Sequence, residues 1–514
     1  MPDGVHGKPP TEVGMDIGRP PSEDEALSAG ELKRRAKAGV FLVSTRGLVI
    51  LLIGFAGNVI VARLLNPADF GVVAIGMSFV LFAGLVSDGG LGAGLIRRRE
   101  PPSAEELGAL SALQLLVTLA MTGLALAVAV PLGRIAWVTA VMVASMPFVA
   151  LQFPGRILLE RALLYRRLVA VEMTQVLCFQ GWAVGTVAAG FGVWGLATAT
   201  VVRALTGALV MGFVCPAGLV RPRLEFRLIK PLVGFGLRFQ AVNATWLLRD
   251  QALNLSVAAL GGAARLGLWT LAKRLMEMPY LVLQSLWRVS FPTMSRLHEG
   301  DRATGLVQQS VDIASVGMGL VLTVLAGSAP GLVPGLFGAQ WREVAVIVPG
   351  ACLGLAVGGA VSVATQGYLY AVGDAQAVLR ASLLQALVWL AVALPLLEPL
   401  GVASLGLSWA VAGAVEALML GRAVGRRIQV HLFRPLLAPV LIGVCGASVG
   451  WTVAARGGGT LWSGIAGGGC AAAVFTVAMT AVNRRVVRQT CAFVADSVRA
   501  ALSHTHEEAG ERRR

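Results

Sequence analysis

Charged residues are scarce in this sequence of 514 residues, and their scarcity excludes an ordinary soluble protein. Only 14% of the residues are charged, 56% are hydrophobic, and the mean hydropathy is +0.74. Soluble domains usually carry about 25% charged residues. Hydrophobic stretches of roughly 20 residues, the length that crosses a bilayer as a helix, follow one another from Val40 to Val482. The composition therefore predicts an all-α, polytopic membrane protein.

Residues that carry catalytic or metal chemistry are few and unfavourably spaced. The six cysteines have no CxxC or other ligand-like spacing, so we expect small buried apolar residues. All five histidines lie outside the apolar segments, which disfavours an intramembrane acyltransferase with a buried histidine base. A GxxxxGKS/T phosphate loop is also missing, so ATP hydrolysis by this chain is not expected. The sequence thus predicts no metal, no cofactor and no enzymatic activity.

The N-terminal 38 residues lack the apolar region of a signal peptide. They are rich in proline, glycine and charge, which is typical of a disordered tail. The predicted organisation is a disordered cytoplasmic tail (1–38), a six-helix lobe (39–216), a basic cytoplasmic linker (217–232), a second six-helix lobe (233–422), two additional helices (423–482) and a basic cytoplasmic tail (483–514).

About fourteen membrane-spanning helices are predicted, arranged as two pseudo-symmetric six-helix lobes around a central cavity plus two extra helices. Twelve helices would satisfy the same parity, and the weakest connection is the one near Asp374. The predicted ranges are 41–64, 71–96, 107–130, 135–153, 168–190, 192–214, 234–257, 264–291, 308–328, 343–371, 374–396, 400–420, 433–454 and 461–482.

The distribution of Lys and Arg predicts the orientation of these helices. Connections after even-numbered helices carry seventeen of them and connections after odd-numbered helices carry five, and both termini are basic. Since positive connections remain in the cytoplasm, both termini are predicted to be cytoplasmic. The net charge of +15 then comes mainly from basic connections that face anionic lipid, and it does not indicate a nucleic-acid partner. The seventeen are Arg97, Arg98, Arg99, Arg156, Arg161, Arg166, Arg167, Arg221, Arg223, Arg227, Lys230, Arg296, Arg302, Arg422, Arg426, Arg427 and Arg434; the five are Arg63, Arg134, Arg265, Arg342 and Arg456.

Two internal similarities indicate a repeat. VARLLNPADFGV from Val61 matches VAALGGAARLGL from Val257 at an offset of 196 residues, and GVWGLA from Gly192 matches GVASLG from Gly401 at an offset of 209. Both offsets correspond to six helices, which restores the direction of the chain and predicts parallel repeats with a cavity between them. Shared Gly, Ala and Leu content is the alternative explanation.

Several strings together resemble bacterial polysaccharide flippases of the multidrug/oligosaccharidyl-lipid/polysaccharide exporter superfamily, of the O-antigen and teichuronic-acid type. The likeness covers nearly all of residues 40–482. It implies alternating access by two six-helix lobes in the bacterial cytoplasmic membrane, with a lipid-linked oligosaccharide as cargo and a polymerase and glycosyltransferases as partners. The strings are ARLLNPADFGVVAIG (from Ala62), SDGGLGAGLIRR (from Ser87), LLYRRL (from Leu163), GFGVWGL (from Gly190), LGLWTLAKRLMEMP (from Leu266) and RVSFPTMSRL (from Arg288).

Charged residues inside the predicted helices are the candidate functional site. Each costs about 2.5–3.5 kcal/mol at a helix centre, so unpaired ones are expected to line water-filled space. Their positive excess suits the pyrophosphate of an undecaprenyl-linked glycan. The predicted substrate-binding residues are Arg203, Arg238, Arg249, Lys273 and Arg274, and the candidates for ion coupling are Asp88, Asp250 and Glu277.

Structural roles are the alternative for each of these residues. Lys273 and Arg274 lie four and three positions before Glu277, so the three are able to neutralise one another on one helix. Arg249 and Asp250 are sequence neighbours that point to different helix faces, so mutual pairing is not expected. Asp88 lies in a glycine-rich stretch where it caps or bends its helix. Four further residues near predicted cytoplasmic boundaries are expected to snorkel: Arg46, Arg288, Glu172 and Glu416.

Two other function classes remain open from the sequence. A membrane glycosyltransferase or ligase usually needs a long outer loop with catalytic carboxylates, whereas the longest outer loop here, near Gly331 to Glu343, has one acidic residue. Within the same superfamily, a cation-coupled drug exporter prefers an acidic cavity, and a lipid II flippase is a further alternative. The sequence does not identify the glycan, the exported polymer or the coupling ion.

Overall fold

The structure, a computed structural model, describes residues 47, 49–98, 100–225, 227–228, 230–295 and 301–511. These residues are mostly helical and none of them lies in a strand, so the predicted all-α fold is confirmed. The predicted tail, residues 1–38, lies outside the described residues. The helices are α1 Val49–Leu64, α2 Pro67–Asp88, α3 Leu91–Arg97, α4 Ala104–Leu132, α5 Arg134–Val143, α6 Met146–Arg161, α7 Tyr165–Thr186, α8 Val193–Val214, α9 Lys230–Ser295, α10 Asp301–Phe337, α11 Val344–Gly354, α12 Ala360–Ala371, α13 Ala375–Leu396, α14 Ala403–Gly425, α15 Arg434–Arg456 and α16 Leu461–Glu511.

Twelve helical stretches of the described residues are long and apolar enough to cross a membrane. Helix α1 is apolar but shorter than these stretches. One of the twelve, Ala244–Glu277, is interrupted at Gly262, whose φ of 79° and ψ of 170° are not helical. Counting the two halves of α9 separately and adding α1 gives the fourteen segments that the sequence predicts.

The second half of α9 folds back into the bundle after Gly262. Trp269 packs on Trp389 with ring centroids 5.1 Å apart. Seven residues later, Met276 Sδ lies 3.9 Å from Cys352 Sγ in α11. Both contacts lie inside the bundle, so Gly262 is the tip of a helical hairpin, where glycine adopts a positive φ without steric cost.

The two ends of the bundle differ in their ion pairs. At one end, called the outer end after the predicted topology, Arg134 pairs with Asp69 over 3.1 Å. At the other, called the inner end, Arg427 pairs with Asp374 over 2.7 Å. This second pair joins the connection before α13 to the connection after α14. The two connections therefore lie at the same end, as two consecutive antiparallel helices require.

The two halves of the chain meet through glycines at the outer end. A Cβ on Gly71 would overlap the carbonyl group of Ala263, and a Cβ on Gly267 would overlap that of Pro67. The offset of 196 residues converts Gly71 into Gly267 and Pro67 into Ala263. The contact is therefore reciprocal, as a two-fold axis between equivalent surfaces requires. We call these four residues the glycine seam.

The second sequence similarity also has a structural counterpart. Gly192 precedes α8 with a φ of 55°, and Gly401 lies shortly before α14 with a φ of 57°. Both positions need a left-handed backbone, which glycine adopts readily. The repeat inferred from shared letters thus corresponds to equivalent helix entries in the two halves.

Helices α10, α15 and α16 pack against one another as a group. Glycines bring the backbones together, since a Cβ on Gly331 would overlap Gly464 and a Cβ on Gly450 would overlap the carbonyl group of Gly467. Helix α16 bends at Asn483, where φ is −146°, and continues to Glu511. The predicted tail 483–514 is thus helical as far as Glu511, while the predicted domain boundaries remain predictions.

Candidate functional site

A cavity of about 300 Å³ lies between α1, the second half of α9 and the end of α10. Two of the predicted site residues, Arg274 and Glu277, line it. Asn58 adds a polar group from α1, and Phe55 and Phe337 form apolar walls. Since α1 and α9 belong to different halves of the chain, this seam cavity lies where relative motion of the halves would change its shape.

Arg274 is the residue of this cavity with unused hydrogen-bonding capacity. Its Nη1 atom is buried and has no hydrogen-bond partner among the described residues. The guanidinium lies 6.0 Å from the ring of Phe70, at the edge of cation–π range. Glu277 interacts electrostatically with Arg274. In the described part of the chain, however, no direct ion pair joins Arg274 or Lys273 to Glu277. A guanidinium held this way favours an anionic ligand.

Arg249 and Asp250 form an ion pair, so the expectation that they would not pair is wrong. Arg249 donates to Asp250 Oδ1 from Nε at 2.9 Å and from Nη2 at 2.7 Å. The guanidinium also lies 4.9 Å from the ring centroid of Trp246. Neighbouring helix positions diverge by about 100°, but a long arginine side chain bends back across that angle. The sequence argument considered backbone direction and neglected side-chain reach.

Glu416 was expected to snorkel to the cytoplasmic boundary, and this is wrong because its side chain is only 8% exposed. Helix α14 continues to Gly425, so Glu416 lies about 13 Å from the helix end at 1.5 Å per residue. Arg249 is the charged residue within electrostatic reach of it. Glu416 is thus a buried carboxyl group. Its burial was missed because the predicted helix ends five residues before the observed one.

The remaining predicted residues lie elsewhere. Arg203 in α8 interacts electrostatically with the partly buried Glu172 of α7. Arg238 is exposed near the start of α9, and Lys273 is partly buried beside the seam cavity. Asp88 ends α2, directly before Gly89 and Gly90, whose φ values of 52° and 70° break the helix. Arg46 and the side chain of Arg288 lie outside the described residues.

The structure therefore separates the eight predicted residues. Arg274 and Glu277 share the seam cavity, Arg249 pairs with Asp250, and the others lie at separate positions. Helical spacing predicted the first grouping, because positions three apart share a helix face. Glu416 lies near the Arg249–Asp250 pair although its helix is distant in sequence. Residue spacing along one helix does not reveal such a proximity.

A second, apolar cavity of about 560 Å³ lies between α10, α11 and α15. Gly319, Gly350 and Gly443 make room for it, and Trp451 and Pro439 contribute to its walls. None of the residues that line it is charged. This uncharged lining suits a hydrocarbon chain.

Hydrogen bonds close the outer end of the boundary between the halves. Arg63 at the end of α1 donates from Nε to Leu336 O and from Nη2 to Gly335 O, each at 2.6 Å. In return, Trp341 Nε1 donates to Ala62 O at 2.7 Å. The seam cavity is therefore covered at its outer end.

Metal and disulfide chemistry find no support in the described residues. They contain no group of three or more His, Cys, Asp or Glu placed to hold a metal ion. The six cysteines are free. Cys215 and Cys352 are buried as predicted, but Cys445 and Cys491 are exposed, so the expectation of burial is wrong for these two.

Sequence comparison places the chain in a family. Residues 60–346 match the family described as polysaccharide biosynthesis protein, which is more than half of the chain. This chain belongs to that family. It is 25% identical over 294 residues to the succinoglycan biosynthesis transport protein ExoT of Rhizobium meliloti (strain 1021). That match covers 55% of this chain and 58% of ExoT, so it spans less than two thirds of the relative.

Two solved structures share the fold of this polysaccharide biosynthesis family member. The lipid II flippase MurJ, in an inward closed conformation, has a TM-score of 0.66 at 13% identity over 87% of this chain and 99% of its own. A MATE family transporter of the MOP superfamily, in an inward-facing conformation, has a TM-score of 0.55 at 16% identity over 76% and 97%. The chain therefore shares the fold of these two proteins, and the predicted family resemblance is confirmed by the family match.

Proposed function

We propose that this protein is a flippase that moves an undecaprenyl-pyrophosphate-linked oligosaccharide from the inner to the outer leaflet of the bacterial cytoplasmic membrane. The observation that carries the proposal is Arg274, a partly buried cation with an unpaired Nη1 in a cavity between the two halves. Pyrophosphate offers several oxygen acceptors to such a guanidinium. Family membership and the transporter fold agree with this assignment.

The rest of the cargo matches other features of the structure. The apolar cavity between α10, α11 and α15 suits part of a polyprenyl chain, whose burial is favourable by about 0.8 kcal/mol per CH₂ group. The boundary between the halves is closed by Arg63 and Trp341 at the outer end and by the backbone contact of Gly90 with Gly236 at the inner end, so loading of cargo requires the inner contact to open.

Ion coupling is assigned to carboxyl groups within the membrane. The sequence suggests Asp88, Asp250 and Glu277, and burial adds Glu416. Asp250 is already paired with Arg249, so among the residues near Arg249 we assign proton exchange to Glu416. Both termini are taken as cytoplasmic, following the distribution of Lys and Arg. A polymerase and glycosyltransferases are the expected partners.

Two alternatives share this fold. Lipid II transport gains support from the MurJ likeness, and polysaccharide export gains support from the ExoT relative. The family match favours the second. Drug export and ligation, the other classes left open by the sequence, are separated from polysaccharide export by the experiment below.

The test measures the leaflet and the mass of the lipid-linked oligosaccharide together. In proteoliposomes, we expect a membrane-impermeant probe to reach the sugar only when the protein is present, with the mass of the lipid-linked species unchanged. A new protein-dependent glycosidic bond would instead identify a ligase. Translocation of lipid II with no translocation of the oligosaccharide would assign the lipid II function, and movement of neither would contradict the flippase proposal.

A further inference from the structure

A polar cavity of about 380 Å³, distinct from the seam cavity, lies at the inner end of α10, α15 and α16. Asp312 of α10 contributes a carboxylate to its lining, and Arg434 and His431 contribute a guanidinium and an imidazole. Val316, Pro439 and Met479 form an apolar part of the wall. Charges of both signs and an apolar surface thus converge on one concave space, the arrangement expected of a ligand site.

Protein contacts hold this cavity in shape. The Gln308 side chain donates to Asp312 Oδ1 at 3.2 Å and to His431 O at 3.3 Å, and it accepts from His431 N at 3.1 Å. Ser315 Oγ donates to Asp312 O at 2.9 Å. These bonds tie the connection before α15 to α10. The two walls are therefore positioned without a ligand.

The charged groups of the cavity keep most of their bonding capacity. Asp312 accepts one side-chain hydrogen bond, at Oδ1, and Oδ2 has no partner among the described residues. In the same part of the chain, the guanidinium of Arg434 and the ring of His431 take part in no hydrogen bond or ion pair. Asp312 and Arg434 are not within ion-pair distance of each other. One wall thus offers an acceptor for a cation, and the other offers donors for an anion.

This arrangement complements a zwitterion with an ammonium group and a phosphate group. The cavity lies where the apolar stretches of α10 and α15 begin, at Val307 and Arg434. That is the depth at which phospholipid head groups lie. Pro439 lines both this cavity and the apolar cavity between α10, α11 and α15. We propose that the cavity binds the phosphoethanolamine head group of a membrane phospholipid, with the ammonium on Asp312 and the phosphate on Arg434 and His431.

The test is lipid retention by the full-length protein, measured by native mass spectrometry after equilibration with equal amounts of phosphatidylethanolamine, phosphatidylcholine and phosphatidylglycerol of matched acyl chains. Phosphatidylcholine has no N–H to donate to Asp312, and phosphatidylglycerol has no cation. We expect phosphatidylethanolamine to be retained about tenfold more than either, the effect of one charge-assisted hydrogen bond. Equal retention of the three lipids would overturn the proposal.

Variants separate the two charges. Asp312→Asn should abolish the preference for phosphatidylethanolamine, and Asp312→Glu should keep it. Arg434→Gln should weaken retention of all three lipids, because each carries the phosphate group, while the preference for phosphatidylethanolamine remains. Arg426→Gln removes an exposed arginine after α14 that does not line the cavity, and it should change nothing. An unchanged preference in a folded Asp312→Asn protein would contradict the assignment.

Soluble glycerophosphoethanolamine distinguishes a lipid from a free head group. It should compete only at concentrations far above those of the lipid, because it gains nothing from the apolar wall. Competition at equal concentration would overturn the lipid assignment. The readout is retention and not transport, so the result does not depend on the proposed flippase activity.

Discussion

The two halves of this protein meet in two different ways at two depths. At the outer end, Gly71 and Gly267 bring backbone against backbone, and the contact is uncharged and reciprocal. Deeper, between α1 and α9, side chains leave a cavity whose wall contains Arg274, with Nη1 unpaired. The first contact has no room for a ligand, and the second has a guanidinium with an unused hydrogen-bond donor. Glycines thus determine how closely the two halves approach, and a charged residue provides the capacity to bind an anionic ligand.

Breaking the glycine seam is expected to have the largest effect. Gly71→Ala and Gly267→Ala each place a Cβ on a backbone carbonyl group that has no flexible side chain to move aside. Overpacking costs about 1–3 kcal/mol where neighbours do adapt, so we expect at least this loss. Thermal unfolding of the purified protein should occur at a lower temperature, and transport should fall at least tenfold.

Gly84→Ala is the matched control for this prediction. Gly84 lies in the same helix, and nothing lies within 4 Å of a Cβ at this position. Alanine there should be neutral or should stabilise the helix by about 0.5–1 kcal/mol. Equal behaviour of Gly71→Ala and Gly84→Ala would show that the seam does not hold the halves together.

Removing the unpaired charge is expected to have the next largest effect. Arg274→Ala should reduce transport about tenfold or more, because one charge-assisted hydrogen bond contributes about 1.5–3 kcal/mol. Arg274→Lys should recover part of it, since a point charge keeps the attraction but loses the bidentate geometry. The measurement is oligosaccharide translocation in proteoliposomes with equal protein content. Normal transport by Arg274→Ala would contradict the role of the seam cavity.

Variants of Arg203 and Arg249, two further predicted substrate-binding residues, distinguish substrate binding from a structural role. Arg203→Ala and Arg249→Ala are also expected to reduce transport. For Arg249, however, the ion pair with Asp250 provides a second explanation, because its loss leaves a carboxylate unpaired. In the double variant Arg249→Ala, Asp250→Asn that carboxylate is gone. If Arg249 binds the substrate, the double variant should transport as poorly as the single one, whereas recovery would assign Arg249 a structural role.

The sequence predicted the uncharged framework well and the charged network poorly, for a physical reason. Hydrophobic length, glycine positions and the Lys and Arg distribution are local properties, so the segments and the repeat at Gly71 and Gly267 were accessible. The proximity of Glu416 to Arg249 depends on the tertiary placement of α14 relative to α9. Side-chain reach misled the prediction for Arg249 itself. Grouping of Arg274 with Glu277 succeeded because one helix turn connects them.

A variant of Glu416 tests whether this buried carboxyl group couples transport to a proton gradient. Glu416→Gln keeps the size of the side chain and removes its ability to exchange a proton. If Glu416 carries the coupled proton, transport driven by an inward proton gradient should fall about tenfold towards the rate without a gradient, while exchange without a gradient should persist. Glu343→Gln, at the outer end, is the control. An unchanged response of Glu416→Gln to the gradient would exclude this residue from coupling.

The smallest expected effect concerns the hydrogen bonds that close the outer end. Arg63→Ala removes two bonds from a guanidinium to carbonyl groups of the other half. Because Arg63 is exposed, we expect a loss of only about 1 kcal/mol, which raises the population of the outward-open state about fivefold. Arg134→Ala is the matched control, since it breaks an outer ion pair with Asp69 inside one half and should leave the population unchanged.

The readout is the labelling rate of Leu65→Cys, a buried position at the outer end, by an impermeant maleimide in a protein whose six native cysteines are replaced. Faster labelling in Arg63→Ala and not in Arg134→Ala would show that these bonds hold the halves together. Equal rates in both variants would show that the two bonds from Arg63 are not needed to close the outer end.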